Sequence, residues 1–246
     1  MKMLRAASRL LEFASEPGIL SYLIASKKPS LASYRMCQAV NGLVRAPATI
    51  FDVGANQGQF AGAAAKWFPY ARIVSFEPSP KVFPMLRKNT AALENIELVQ
   101  SAMGDKAGEL EFFENEYSHA SSALPVTATQ TALRPETGRV KKIKVPVATL
   151  DGFASGQEWV GPILLKLDVQ GYEKRVLEGG RSFLSQVDYL LFECSYRALY
   201  EGEPLFAEMY AYVSSLGFEL VAPVGYLEDE SHVMLQTDLL WRRPGK

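Results

Sequence analysis

Residues 49–60 read TIFDVGANQGQF, and this stretch decides the fold of the chain. It begins with a short apolar run, Thr49–Val53, which carries an acid near its end and is followed by two glycines four residues apart. Such a run predicts a buried strand, and the small residues after the second glycine predict a helix over Gln59–Phe68. Because open α/β sheets bind ligands at the carboxyl ends of their strands, we expect a ligand at the glycine turn.

Apolar strands and helices alternate along most of the remaining chain. Further strands are predicted at Arg72–Phe76, Ile96–Ser101, Ile163–Leu167, Tyr189–Cys194, Phe218–Val221 and Val233–Trp241. Further helices are predicted at Leu31–Val44, Pro80–Leu93, Tyr172–Leu184 and Leu205–Leu216. Short strands buried on both faces and separated by helices indicate parallel pairing, so the pattern predicts a doubly wound α/β sheet of roughly seven mostly parallel strands with an antiparallel last strand.

The alternation lapses in the middle of the chain. Glu109–Glu114 and Val140–Val147 are predicted as extra strands. The segment Asn115–Gly138 between them is rich in Ser, Thr and Ala and is long for an internal loop, which is typical of a lid or a binding segment.

The N-terminal residues form a separate pattern. Helical periodicity over Lys2–Ser15 and Leu31–Val44 precedes the first strand. We predict that residues 1–45 form a helical cap or an arm for homo-oligomerisation, and that residues 46–246 form the ligand-binding domain. Deletion of residues 1–45 should then spare ligand binding.

Composition argues against several classes of protein. The net charge of −1 and the lack of a basic stripe argue against a nucleic-acid partner. No apolar run reaches the roughly 18 residues that span a membrane, and the N-terminus lacks the unbroken apolar core of a signal peptide. Cys37 and Cys194 are far apart, which predicts free thiols in a reducing compartment. We therefore expect a cytoplasmic protein with no transmembrane segment.

The acid in the opening stretch indicates which ligand the turn binds. The dinucleotide fingerprint G-x-G-x-x-G is not matched, since Gly54 and Gly58 are separated by three other residues. Asp52 would repel a pyrophosphate but could order an ammonium group directly or through water. S-Adenosylmethionine carries an ammonium and a carboxylate and no phosphate, and the N-terminus of the following helix could hold that carboxylate. The residues therefore predict S-adenosylmethionine as the ligand, with Asp52, Gly54 and Gly58 in its site.

The ends of the next two strands fit the rest of that ligand. Glu77 lies 23 residues after Gly54, close to the spacing at which an acid binds ribose hydroxyls. The third strand ends in Ser101, Ala102 and Met103, where an adenine would lie, and Met103 could pack on its face. The alternative is that the two acids only cap a turn and end a strand in solvent.

Six segments that occur in order along the chain carry a resemblance to a known family. They are FDVGANQGQF, VSFEPSP, NIELVQSAMGDKAGELEFF, LLKLDVQGYEKRVLEGG, FECSYRALYEG and LQTDLLW. They span roughly residues 48–242 and resemble the FkbM-type family of S-adenosylmethionine-dependent methyltransferases. The resemblance implies a Rossmann-like class I methyltransferase fold and O-methylation of a hydroxyl on a sugar or secondary metabolite. Through its first motif it also adds Asn56 and Phe60 to the candidate cofactor-binding residues.

Four side chains are candidate catalytic groups, since transfer to an alcohol needs an aligned hydroxyl and a group that takes its proton. Asp168 is the strongest candidate because it follows a buried strand at its carboxyl end. Lys166 lies on the same face and would keep Asp168 ionised, so that Asp168 orients the acceptor. Glu193 ends the next strand, Glu173 begins a helix, and His119 lies in the Ser/Thr-rich loop. Their structural alternatives are a backbone-bonded acid, a helix N-terminal acid and a solvated histidine.

Other functions stay open at this point. A nicotinamide-dependent oxidoreductase is disfavoured by Asp52 and by the unmatched fingerprint. A non-catalytic module would share the cofactor site, although it would be expected to lose polar residues such as Asp168 and Glu173. Asp168 and Glu193 could hold Mg²⁺ with an acceptor diol, but no compact ligand cluster is visible, so we predict no metal site. The expected acceptor is a small molecule or a glycan.

Overall fold

The computed structural model describes residues 18–229 and 231–245, so the predicted helix Lys2–Ser15 lies outside the described residues. The strands are β1 (Thr49–Val53), β2 (Arg72–Phe76), β3 (Ile96–Val99), β4 (Ala102–Met103), β5 (Gly108–Asn115), β6 (Val140–Ala148), β7 (Ile163–Leu167), β8 (Tyr189–Ser195), β9 (Glu219–Glu228) and β10 (Met234–Arg242). The helices are α1 (Ile19–Ala25), α2 (Leu31–Leu43), α3 (Gln59–Trp67), α4 (Phe83–Thr90), α5 (Ala128–Leu133), α6 (Leu150–Ala154), α7 (Glu173–Glu178) and α8 (Phe206–Ser215). Short 3₁₀ turns occur at Ser118–Ala120, Pro135–Gly138 and Phe183–Ser185.

The main sheet has seven strands in the order β3-β2-β1-β7-β8-β10-β9. Neighbours from β3 to β8 pair in parallel, whereas β10 runs antiparallel to both β8 and β9. This confirms the predicted doubly wound sheet and the predicted antiparallel pairing at the C-terminal end of the chain. The strand order reverses between β1 and β7, and the carboxyl ends of strands at such a reversal open a crevice.

The two strands at this reversal are buried along their whole length. Strands covered by helices on both faces are apolar at almost every position, which is why β1 and β7 read as continuous apolar runs. Their two charged residues are directly opposite each other, since Asp52 of β1 is in register with Lys166 of β7. A buried acid and a buried base therefore meet at the reversal point.

The two extra strands predicted from the sequence form a second, smaller sheet. Its order is β4-β6-β5, with β5 and β6 antiparallel and the short β4 parallel to β6. The connection predicted as a long loop is not structureless, because it contains α5 and two 3₁₀ turns. It is also attached to the small sheet, since Phe113 and Ser122 exchange backbone hydrogen bonds.

One predicted helix is shorter in the structure. The helix expected over Tyr172–Leu184 ends at Glu178, and a 3₁₀ turn follows later. The reason is the glycine pair Gly179 and Gly180: a Cβ at Gly179 would overlap the carbonyl group of Gly104. Two glycines in succession break the helix so that the chain can pass the backbone of a neighbouring turn.

The helices before β1 belong to the core of the sheet and are not an appendage to it. Five of their side chains are buried in one cluster with Ile50, Leu164, Leu191 and Leu240 from the main sheet: Ile19, Tyr22, Tyr34, Cys37 and Val40. This packing argues against the expectation that the segment can be removed without harm to the domain, which stays a prediction until a truncated chain is measured. No described helix is both long enough and apolar enough to cross a bilayer.

Candidate active site

A cavity of about 250 Å³ opens at the carboxyl ends of β1, β2 and β7. Ten of the predicted site residues line it: Gly54, Asn56, Phe60, Glu77, Ser101, Ala102, Met103, His119, Asp168 and Glu193. The strand order places the residues that follow β2 and β3 at one end, which we call the Glu77 end. The residues of β8 and β10 lie at the other end, which we call the acidic end, because Asp168, Glu193 and Asp238 line it.

Gly54 is required where β1 turns into the loop. Its φ of 81° is in the left-handed region, and a Cβ there would overlap the carbonyl oxygen of Asp168. Only glycine permits this approach of the β1 and β7 ends. Because the two turns touch, any shift of Gly54 would also move Asp168.

Gly58, predicted in the cofactor site, does not line the cavity and has a packing role. A Cβ at Gly58 would lie 2.8 Å from Cγ2 of Thr90, so the glycine lets α3 start close to α4. The loop amides are also used within the protein. The backbone N–H groups of Gly54 and Ala55 donate to the carbonyl oxygen of Phe76. The backbone N–H group of Asn56 donates to the Glu77 carboxylate. A cofactor carboxylate must therefore be held by other donors, such as the Asn56 side chain or the first turn of α3.

Asp52 does not reach the cavity, contrary to the prediction that it orders the cofactor's ammonium group. Its side chain is fully buried and lies 2.9 Å from Nζ of Lys166, and Ser75 Oγ donates to it at 3.4 Å. Lys166 lines the cavity in its place and also donates to the carbonyl oxygen of Gly54. Burial alone would lower the pKa of Lys166, but the carboxylates of Asp52 and Asp168 raise it, so the lysine stays charged.

Glu77, predicted as a ribose-binding acid, lines the cavity. It is buried, and its two oxygens accept the backbone N–H groups of Asn56 and Ser79, each at 2.9 Å. Burial raises the pKa of Glu77 to about 7 despite those bonds. Each carboxylate oxygen can accept a further hydrogen bond, so the site is suited to a ligand that brings two hydroxyl donors.

The wall beyond Glu77 suits an adenine. Ala102 and Met103, which form β4 shortly after β3, are buried, and Leu110 and Phe112 of the small sheet face the same cavity. Ser101 is not available as a donor to a base, because its hydroxyl donates to the carbonyl oxygens of Ala102 and Pro146. This end therefore offers apolar contact to a flat ring, as expected for Met103.

A single glutamine joins the two leading candidate catalytic carboxylates at the acidic end. Nε2 of Gln170 donates to Oδ1 of Asp168 at 2.7 Å and to Oε2 of Glu193 at 3.1 Å. The buried Tyr200 hydroxyl donates to Oε1 of Gln170 at 2.7 Å and fixes the amide orientation. Lys166 lies 3.6 Å from Asp168 on its other side, as the spacing of the two residues predicted.

Negative charge accumulates beside this pair. Asp238 of β10 is in register with Glu193 of β8 and lines the cavity next to it. Burial, and then the charges of Asp168 and Asp238, raise the pKa of Glu193 well above its usual value. Burial and the charge of Asp168 likewise raise the pKa of Asp238 to about 7. A carboxyl group whose pKa is near 7 is well matched to proton transfer at neutral pH.

Of the other two candidate catalytic residues, His119 lines the cavity and Glu173 does not. Glu173 is buried outside the cavity and accepts the backbone N–H of Val169, so it braces the turn that carries Asp168. His119 lies at the cavity, and partial burial lowers its pKa below 6.5, which leaves it neutral. Its Nε2 lies 3.2 Å from Nε2 of Gln59. An amide nitrogen only donates, so the lone pair of this imidazole nitrogen is already engaged.

Sequence reasoning missed three functional positions: the cavity-lining role of Lys166, and Gln170 and Asp238 altogether. A lysine inside an apolar strand was the signal for Lys166. Gln170 has a φ of 58°, a conformation that the sequence does not reveal. Asp238 stands in the apolar run LQTDLLW, where a lone acid marks a strand that passes a polar site. Within the residues that the structure describes, no three His, Cys, Asp or Glu side chains are grouped to hold a metal ion.

Comparison with known proteins identifies the family. The model of the methyltransferase FkbM domain matches residues 52–220, which is more than half of the chain. This chain belongs to the FkbM methyltransferase family. The cavity described above is thus the candidate active site of an S-adenosylmethionine-dependent FkbM methyltransferase, and the residues of the Glu77 end fit that cofactor.

Named relatives of this FkbM methyltransferase agree with the family assignment. It is 27% identical over 203 residues to the 2-O-methyltransferase NoeI of Sinorhizobium fredii, a match that covers 80% of this chain and 82% of NoeI. It is 29% identical over 191 residues to the methyltransferase sdnD of Sordaria araneosa, covering 65% of this chain and 72% of that protein.

A solved structure shows the same fold. The N-terminal domain of EvdMO1, determined in the presence of SAH and D-fucose, superposes with a TM-score of 0.50 at 10% identity. The match covers 87% of this chain and 84% of that chain. The fold is therefore the Rossmann-like class I methyltransferase fold.

Binding of S-adenosylhomocysteine to this FkbM methyltransferase is expected to release a proton from Glu77. Ribose hydroxyls that donate to the carboxylate favour its charged form and lower its pKa from about 7. Affinity should therefore rise with pH from the lowered pKa of the bound state up to about pH 7 and level off above it, by up to about tenfold for each unit by which binding lowers the pKa. Calorimetric titration in two buffers with different ionisation enthalpies measures the released proton.

The control for this expectation is Glu77→Gln, because Glu193 and Asp238 also titrate in the cavity. The variant should bind more weakly and release fewer protons. If wild type and variant release the same number of protons, the titrating group lies elsewhere in the cavity.

Proposed function

We propose that this enzyme transfers the methyl group of S-adenosylmethionine to a hydroxyl group of a saccharide. The observation that carries the proposal is the acidic end, where one glutamine holds Asp168 and Glu193 beside the Glu77 end. Carboxylates are strong acceptors for hydroxyl groups and can take their protons. The relative NoeI, a 2-O-methyltransferase, supports a hydroxyl acceptor.

The Glu77 end would hold the methyl donor. Glu77 would accept the two ribose hydroxyls, and Ala102 and Met103 would contact the adenine. Asn56 carries side-chain N–H groups in the same cavity and would bind the carboxylate of the amino-acid part. Bound S-adenosylmethionine supplies an electrophilic methyl group on a positively charged sulfur.

The acidic end would bind and deprotonate the acceptor. Asp168, which lies 3.6 Å from the Lys166 ammonium, would accept a hydrogen bond from the acceptor hydroxyl and orient its oxygen. Glu193 would take the hydroxyl proton as the oxygen gains the methyl group, while the electron pair of the broken C–S bond stays on sulfur. Gln170 places the two carboxylates so that both can reach one hydroxyl, since a single nitrogen atom bridges them.

Turnover of a panel of methyl glycosides tests this function. Purified protein with S-adenosylmethionine should form S-adenosylhomocysteine only when a saccharide is present, and mass spectrometry should find one added methyl group on oxygen. Methylation of an amine but of no saccharide would overturn the proposal. Tight binding of S-adenosylhomocysteine without turnover of any saccharide would favour a non-catalytic module, and binding of NAD in its place would favour an oxidoreductase.

Three expectations drawn from the sequence remain predictions. They are a domain boundary near residue 46, homo-oligomerisation through the N-terminal helices and a cytoplasmic location. Size-exclusion chromatography with light scattering measures the second of these directly.

A further inference from the structure

Part of the acidic end comes from outside the segment that matches the family. Ser30, Ser33 and Met36 of the α2 region line the cavity together with Asp168 and Glu193. The family match begins at residue 52 and ends at residue 220, so it includes neither α2 nor β10. The cofactor-binding and proton-accepting residues lie inside the match, whereas the outer wall of the acidic end is built by α2 and β10, which flank the matched segment.

The α2 wall is rigid before any ligand binds. Tyr34 and Cys37 on one side of the helix are buried in the core, which leaves Ser33 and Met36 to face the cavity. The start of the helix is fixed, because Ser30 Oγ accepts the backbone N–H of Ser33 at 3.2 Å. The Tyr22 hydroxyl in turn accepts the backbone N–H of Ser30 at 3.0 Å. Such a wall can select among acceptors by shape.

A small recess of about 40 Å³ adjoins the cavity between α2 and β10. Six residues line both spaces: Ser33, Met36, Phe60, Lys166, Asp168 and Asp238. One water needs roughly 10–15 Å³ by the same measure, so the recess of about 40 Å³ has room for about three or four non-hydrogen atoms. That is the size of a small substituent on a ring and far less than the ring itself.

The recess has one polar side and one apolar side. Asp238 offers a carboxylate with no hydrogen bond from a neighbouring described residue. Ser33 offers a hydroxyl oxygen as an acceptor, since its hydrogen is donated to Ser30 Oγ at 3.1 Å. Met36 and Phe60 offer apolar surface. A hydroxymethyl group matches this pattern, since its CH₂ can contact the apolar pair while its O–H donates to Asp238.

We propose that α2 and Asp238 form the acceptor-specificity wall of this enzyme, and that the recess between them takes the hydroxymethyl substituent of a hexopyranoside. This inference rests on the proposed saccharide O-methyltransferase function. It predicts that the enzyme distinguishes hexopyranosides from the matching pentopyranosides, which lack only that group.

Two pairs of acceptor glycosides and one substitution, Ser33→Leu, test whether this wall sets the acceptor preference. The pairs are methyl β-D-glucopyranoside with methyl β-D-xylopyranoside, and methyl β-D-galactopyranoside with methyl α-L-arabinopyranoside. For at least one pair, wild type should have a kcat/KM about tenfold or more higher for the hexoside, as expected for a filled pocket. Ser33→Leu places a larger side chain in the recess and should remove most of that preference. Its affinity for S-adenosylhomocysteine should stay within about threefold of wild type, less than 1 kcal/mol.

The matched control is Asn41→Leu, which adds a leucine to an exposed position of the same helix more than two turns away. It should keep the hexoside preference. An active Ser33→Leu enzyme with an unchanged preference, or a wild type that treats both members of each pair alike, would overturn the inference. Absence of methylation on every saccharide, with S-adenosylhomocysteine still bound, would overturn the proposed function itself.

A second measurement uses the wild-type protein and so does not depend on the folding of a variant. In the complex with S-adenosylhomocysteine, the ¹³C-labelled methyl group of Met36 should shift when the preferred hexoside is added. Met85 is a reference, because it is exposed on α4 and does not line the cavity. Acceptor binding that leaves the Met36 signal unmoved would overturn the proposed wall.

Discussion

A chain that begins at residue 46 is expected not to fold. It would lack the buried side chains of α1 and α2, namely Ile19, Tyr22, Tyr34, Cys37 and Val40. Full burial of a large apolar side chain contributes about 1.5–3 kcal/mol, so their loss costs on the order of 10 kcal/mol. The net stability of a domain is itself only about 5–15 kcal/mol. The truncated chain should therefore show no cooperative thermal transition and should aggregate, because one face of its sheet is uncovered.

Circular dichroism during heating and calorimetry with S-adenosylhomocysteine measure this outcome. A matched pair of point variants separates loss of packing from loss of chain length. Tyr34→Ala empties a buried site and should cost about 3–5 kcal/mol, whereas Asn41→Ala at an exposed position should change stability by less than about 0.5 kcal/mol. A soluble truncated chain that melts cooperatively and binds the ligand would show that the helices are a separable cap after all.

The main sheet could be predicted because its signal is local. The bounds of β1, β2 and β7 agree with the predicted runs at both ends, since a strand that is buried on both faces must be apolar along its length. Of the two late strands, the predicted run Val233–Trp241 agrees with β10 within one residue at each end. The predicted run Phe218–Val221 covers only the start of β9, which continues to Glu228 and has no buried residue. The short β4 and α6 were missed, because two to five residues carry too little periodicity to distinguish them from loops.

The cofactor-binding half of the site could also be predicted largely from local sequence signals. Glu77 follows β2 directly, and the residues Ser101, Ala102 and Met103 follow β3, so strand ends alone place them on one edge. Gly54 was placed at the turn after β1, but the close approach that requires a glycine there is to the carbonyl oxygen of Asp168, which the sequence did not show. What the sequence did not show is that the backbone amides of this turn are already bonded within the protein.

The acidic half could not be predicted because it depends on contacts between distant parts of the chain. Asp52 looked like a ligand-binding acid, but its partner Lys166 stands 114 positions later. Gln170 acquires its role from Tyr200 on one side and from Glu193 on the other. Such pairings are set by strand order and register, which the sequence specifies only through the whole fold.

Asp168→Asn is expected to reduce methyl transfer by about 10²–10⁴-fold, the usual contribution of a positioned acid–base group. The change keeps the size of the side chain and removes the charge that faces the acceptor. It does not leave Lys166 without a partner, because Asp52 lies 2.9 Å from the same ammonium nitrogen. The affinity for S-adenosylhomocysteine should therefore stay within about threefold of wild type, a difference below 1 kcal/mol.

Glu193→Gln distinguishes orientation from proton removal. If Asp168 orients and Glu193 takes the proton, the Glu193 variant should lose the acid limb of the pH–rate profile, whereas the Asp168 variant should keep that limb at a lower rate. Asp105→Asn is the matched control, since this acid pairs with Arg175 away from the cavity and should leave the rate unchanged. Near-normal turnover by Asp168→Asn, measured with a saturating saccharide acceptor, would remove Asp168 from the mechanism. An acid limb that disappears with Asp168 instead would exchange the roles of the two carboxylates, because the bridging amide of Gln170 places both within reach of one hydroxyl.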